Sequence, residues 1–219
     1  ENWNDGAGYE LELNPSQNFI TFLAGNDNYA RGSFTSSSDW IQIAVTFNGN
    51  VANVYVNGVD VTIDGAIDAV TESTVPLYIG NVSGSIGGSA TFNGNIDEVA
   101  IWNDDLTAME VAALYNSGSP ISASTNYLYY TSSSNLAGYW QMNEGTGTYI
   151  TDGSGSGNSG TIYGANWSTD SPGGTSSSYS TIASARTQGI GASITVRGIV
   201  TTPNYTSSSG TALAIQDGT

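Results

Sequence analysis

The sequence predicts an all-β chain whose antiparallel strands form a two-sheet sandwich with one short helix, followed by part of a second β-domain. Three observations carry that expectation. Apolar and polar residues alternate with period two in several short runs, the signature of half-buried strands. Asn-Gly turns separate those runs, and 28 glycines punctuate the 219 residues. Only one stretch has a complete set of helix start and stop signals.

Residues 9–23, YELELNPSQNFITFL, read as two alternating strands around a turn at Asn14-Pro15. Residues 40–59 form the clearest hairpin. WIQIAVTF places Ile41, Ile43, Val45 and Phe47 on one face, NGN at 48–50 makes the turn, and VANVYVNGV returns with Val54 and Val56 on one face. Residues 75–102 are expected to add further strands, with a second NGN turn at 93–95 and a strand from Ile96 to Trp102. Thr107 and Glu110 then have the spacing of a capping box, and Leu106 and Val111 that of a hydrophobic staple. These signals predict a helix near 108–116, with Gly118 as its left-handed stop.

After the helix, a polar stretch from Ser117 to Ser134, broken by NYLYY, leads to LAGYWQMNEGTGTYITDGSGSGNSGTIYGANWSTDSP. PGGTSSS at 172–178 reads as a flexible linker. The boundaries are therefore 1–170 for the sandwich, 171–178 for the linker and 179–219 for a partial second domain.

Composition removes several chemistries. The chain has no His and no Cys, so no Ser-His-Asp triad, thiol nucleophile or imidazole or thiolate zinc site can be built. Without disulfides, the core or a bound metal must supply the stability. Nineteen acids against three bases give a net charge of −16, which disfavours nucleic acid and anionic membranes. That charge is either a solubility device or an attraction for divalent cations. No apolar run approaches the ~20 residues of a membrane span. With no signal peptide in view, the opening ENWNDG looks like the interior of a longer protein.

Two separate, correctly ordered motifs carry a resemblance. GNIDEVAIW followed by the capped helix, and WIQIAVTFNGN…VYVNG before it, resemble laminin-G-like (concanavalin A-like) jelly-roll modules of secreted multidomain bacterial (Bacteroidetes-type) proteins. WQMNEGTGTYITDGSGSGNSG resembles a third segment of that family. It either supplies strands to the same sheet pair or caps a fold whose N-terminal strands are missing, and the second arrangement is the one expected here. The run TIASAR…ITVRGIV…IQDGT resembles the opening of an OB-fold-like domain. The resemblance implies a jelly roll and a non-catalytic, secreted or cell-surface binding module. Its expected partners are a glycan or surface protein and other domains of the same longer protein. The alternative is an accessory region of a secreted hydrolase or nuclease whose catalytic domain lies outside this chain.

Candidate site residues follow from carboxylates and aromatics. On a regular strand Asp97 shares a face with Val99 and Ile101, so its carboxylate needs backbone amides or a cation. Glu144, Asp152 and Asn158 lie in a Gly-rich loop, and Ca²⁺ takes roughly six to eight such oxygens. The family resemblance implies a structural Ca²⁺ held by Asp152 with Asp97, while a plain turn-rich loop explains the same residues. Glu10 and Glu12 share a strand face and read as solvated rather than catalytic. Among the aromatics, Tyr55 alternates outward from Val54 and Val56 and is the expected ligand-binding ring.

Overall fold

The computed structural model describes residues 8–24, 28–67, 70, 73–81 and 91–173, with the backbone of short strands at 199–200, 205–207, 210–212 and 215–216. The chain divides into two units, Glu1–Gly173 and Gly174–Thr219. In the second unit, 199–200 pairs antiparallel with 215–216, and 205–207 with 210–212. The linker and OB-fold-like expectations for 171–219 fall largely outside the described residues.

In the first unit, alternation does what the sequence suggests at both ends of the expected Pro turn. β1 (Tyr9–Asn14) pairs antiparallel with β2 (Phe19–Ala24), Leu11 opposite Phe22. β2 buries Ile20, Phe22 and Ala24 and turns Phe19, Thr21 and Leu23 outward. β3 (Tyr29–Ser33) and β7 (Thr62–Asp64) complete a four-stranded sheet in the order β1-β2-β3-β7. Glu10 and Glu12 lie in register with Leu23 and Thr21, on the outward side of this sheet.

The second sheet has three strands, β4 (Ile43–Phe47), β5 (Ala52–Val56) and β6 (Val59–Asp60), in sequential order. Val45 faces Val54 across the β4–β5 hairpin. The Asn48 side chain makes its turn by accepting from the N–H groups of Asn50 (3.1 Å) and Val51 (3.0 Å). Between the sheets, Ile20, Phe34 and Val54 interlock, with Leu13, Ile43 and Val56 around them. Beside them Phe22, Ala24, Ala30, Ala52 and Ile67 close the sandwich.

The outer face of the three-stranded sheet is covered as well. β8 (Val99–Trp102) pairs antiparallel with β9 (Leu136–Trp140), so the segment after the helix contributes a strand beside β8. Helix α1 (Ala108–Tyr115) packs with this pair over Tyr55 and Ala44. Its capping box is complete: Glu110 N–H donates to Thr107 Oγ1 at 3.3 Å, and Thr107 N–H to Glu110 Oε2 at 3.0 Å. The staple residues Leu106 and Val111 are both buried in this cluster. The Asn57-Gly58 turn between β5 and β6 lies under the helix. A Cβ on Gly58 would stand 2.9 Å from the Ala112 Cα, and φ there is +76°. Only glycine meets both demands.

Four expectations are corrected. The strand expected from Ile96 begins at Val99, because Glu98 adopts φ +54° and breaks the extended run. Asp97 therefore has no strand face to share with Val99 and Ile101. Within 75–102, Val99–Trp102 is the sole strand among the described residues, and the part of that expectation on 82–90 lies outside them. The helix stops at Asn116 (φ +45°), not Gly118, and the Asn116 side-chain amide donates to Ser119 O at 2.8 Å. Tyr55 points inward and is only 5% exposed, since α1 and β9 cover the face that alternation left to solvent.

Candidate functional site

The expected acidic site is taken up by hydrogen bonds. Asp152, 9% exposed, accepts from the N–H groups of Tyr139 (2.9 Å) and Ser154 (2.9 Å) through Oδ1 and of Asn158 (2.8 Å) through Oδ2. Burial raises its pKa, but these bonds and the Ser154 side chain outweigh burial and hold the carboxyl at about 2. Glu144 is exposed and accepts from Thr151 N–H at 2.8 Å. Burial raises Glu144 as well, yet that bond prevails and keeps the carboxyl below its ordinary value. Asn158 donates its side-chain amide to Ala137 O at 2.9 Å, and its backbone carbonyl accepts from Trp140 Nε1 at 2.8 Å. Asp97 accepts from Glu98 N–H at 3.0 Å, and desolvation raises its pKa.

Beside it, Glu98 accepts a short hydrogen bond from the Tyr139 hydroxyl. Burial drives both groups upward, the tyrosine to about 12. Glu144, Asp152 and Asn158 thus share one loop stitched to β9, whereas Asp97 sits at the entry to β8. No group of three or more His, Cys, Asp or Glu side chains among the described residues is arranged to hold a metal ion. Asp152, the centre of the Ca²⁺ set that the family resemblance implies, already spends its carboxylate oxygens on three backbone N–H groups.

The aromatic candidates divide sharply. Tyr130, Tyr139 and Trp140 are buried with Tyr55. Trp102 donates its indole N–H to the Tyr130 hydroxyl at 2.9 Å, and that hydroxyl donates to Ala123 O at 2.7 Å. Tyr127 and Tyr129 remain exposed on the hairpin that ends at Tyr130.

A surface concavity is found elsewhere, at one end of the sandwich. It is a cleft of about 510 Å³, assembled from the β1–β2 turn, the end of β3 and the β5–β6 turn. Phe19, Phe34, Val56 and Val61 give it an apolar lining, and Gln17, Asn18, Ser33, Thr35 and Asn57 a neutral polar one. Local chemistry sets the geometry of two of these residues. Asn18 (φ +58°) and Asn57 (φ +51°) take left-handed turn positions that asparagine tolerates better than most residues. Phe34 N–H donates to Asn18 O at 3.1 Å, tying the end of β3 to the first turn. Asn57 Oδ1 accepts Gln42 N–H at 2.9 Å, which leaves its NH₂ group to the cleft. The side chains of Gln17, Asn18, Ser33 and Thr35 make no hydrogen bonds to described residues, so their donors and acceptors are available to a ligand. No carboxylate lines this cleft. Sequence reading missed it because its residues come from three turns. The one local signal was an asparagine at each strand turn, in PSQN and VNG.

No curated protein matches the chain. Among solved structures, it is similar over 51% of its length to an S-layer domain-containing protein from Clostridium thermocellum ATCC 27405, at 17% identity and a TM-score of 0.30. That match spans 64% of the other chain, somewhat less than two thirds of it. The family model described as the concanavalin A-like lectin/glucanases superfamily, of the laminin-G type, matches residues 2–112. With its antiparallel sandwich, paired strand turns and single capped helix, the chain belongs to the concanavalin A-like lectin/glucanase superfamily.

Proposed function

We propose that the chain is a non-catalytic, extracellular binding module that recognises a glycan in the cleft between the β1–β2 and β5–β6 turns. The observation that carries this reading is the lining itself. Uncommitted amides and hydroxyls surround an apolar floor containing two phenylalanines, a combination suited to hydroxyl-rich ligands with C–H faces. Glycoside hydrolysis needs a pair of carboxyl groups across the scissile bond, and the cleft lining contains none. A net charge of −16 supports a partner that is neither nucleic acid nor an anionic membrane. No helix among the described residues is long and apolar enough to cross a membrane.

The test is affinity electrophoresis and calorimetry against a polysaccharide panel, with reducing-end release measured in parallel. The triple variant Gln17→Ala, Ser33→Ala, Thr35→Ala removes exposed side chains and leaves the two strained asparagines in place. It should lose at least about tenfold in affinity, since several hydrogen bonds at about 1 kcal/mol each are removed, while retaining the wild-type melting temperature. Undiminished retention by a folded triple variant would refute the cleft. Reducing-end release abolished by Glu10→Gln or Glu12→Gln would replace binding with catalysis.

A further inference from the structure

The loop of residues 144–160 is built with the wrong polarity for a cation. A Ca²⁺ site gathers carbonyl and carboxylate oxygens around an empty centre. Here the centre is the Asp152 carboxylate, and backbone N–H groups converge on it from Tyr139, Ser154 and Asn158, all within 2.9 Å. Oδ1 takes two of these donors and Oδ2 one, so the charge is already shared among fixed amide dipoles.

Three carbonyls at the border of the loop are already taken by other donors. Tyr139 O accepts Gly153 N–H at 2.7 Å, Asn158 O accepts the Trp140 indole at 2.8 Å, and Ala137 O accepts the Asn158 amide at 2.9 Å. Each of these bonds joins the loop to β9, which pairs with β8. A cation entering between Asp152 and the loop would meet the positive ends of three N–H dipoles.

We infer that Asp152 does in this loop the organising work of a metal ion, and that the loop takes its shape without a divalent cation. The protein supplies a buried anion and wraps its own amides around it. The inference stands apart from the glycan reading, because its readouts involve no glycan.

The experiment uses the full chain. Thermal unfolding is followed in EDTA and in millimolar CaCl₂, and Tb³⁺ is titrated with excitation of tryptophan. Trp140, bonded to Asn158, would sensitise any Tb³⁺ held in this loop. The expected result is an unchanged melting temperature in the two buffers and no sensitised emission that Ca²⁺ can displace. Asp152→Asn should lower the melting temperature by roughly 5 °C or more, equally in EDTA and in CaCl₂, because its amide group turns a donor toward the Asn158 N–H. If that variant fails to fold, the wild-type titration still decides. A Ca²⁺-dependent rise in melting temperature overturns the inference. So does Tb³⁺ emission that is competed by Ca²⁺ and lost in Glu144→Gln or Asp97→Asn.

Discussion

Glu110→Gln should be among the most damaging single-atom-scale changes in this protein, and the loss should depend on pH. The Glu110 carboxylate is only 6% exposed. Through Oε2 it accepts the N–H and hydroxyl of Thr107, each at 3.0 Å. Through Oε1 it accepts the N–H (3.1 Å) and hydroxyl (3.0 Å) of Thr131 and the hydroxyl of Ser132 (2.7 Å). It therefore caps its own helix and ties that helix to the segment leading into β9. Burial raises its pKa, but the donors on Ser132, Thr107 and Thr131 prevail and hold it at about 2, against an ordinary 4.5.

That depression corresponds to about 3 kcal/mol of stability at neutral pH. Because the folded value lies below the unfolded one, the contribution is complete above the unfolded pKa. It is lost as the pH falls from about 4.5 toward 2. Glutamine keeps one acceptor oxygen but turns an NH₂ group on the remaining donors. At pH 7 the variant should melt roughly 6–12 °C lower. The assay is thermal or urea unfolding of wild type and Glu110→Gln from pH 7 to pH 2.5. The stability gap should shrink toward zero over the acid half of that range, with Asp152 titrating in both proteins and cancelling. A gap below about 1 kcal/mol at pH 7, or one that does not narrow with acid, would refute the reasoning.

Two backbone positions give further tests. Gly58→Ala forces a Cβ against Ala112 at a φ of +76° and should cost about 2–3 kcal/mol in urea unfolding; a loss under about 0.5 kcal/mol would mean the helix is free to shift. Leu128→Gly should stabilise by about 0.5–1 kcal/mol, since Leu128 sits at φ +51° and is 61% exposed at a hairpin tip. Destabilisation by Leu128→Gly would show that its side chain is held by contacts worth more than its strain.

What the sequence made legible was local, and what it hid was assembled at a distance. Thr107, Glu110, Leu106 and Val111 specify their helix within six residues, and the structure builds all four as the spacing implies. The β1–β2 and β4–β5 hairpins likewise follow from alternation and turn chemistry. Alternation, however, separates the faces of a strand without saying what covers each one. Tyr55 looks exposed until a helix more than fifty residues later lies across it. Glu98 reads as part of a strand because nothing in IDEV signals its positive φ. The bond it accepts from Tyr139, in β9, supplies a tertiary reason. The cleft required three turns to meet, and periodicity within each turn is silent about that.

The acidic residues obey one rule that composition alone already implied. With 19 carboxylates and three arginines, few acids can find a basic partner, and Arg31 with Asp64 (2.7 Å) is the one ion pair among the described residues. A carboxylate that enters the protein must then be met by neutral donors. Asp152 draws them from loop amides, Glu110 from threonine and serine hydroxyls and their backbone, and Glu98 from a tyrosine. The abundance of Gly, Ser and Thr serves this need directly, because small residues let N–H groups and hydroxyls crowd around a single anion. Asp152, one of the acids that suggested metal binding in the sequence, is once folded the centre of the loop beside β9, as Glu110 of the capping box is the centre of the helix cap.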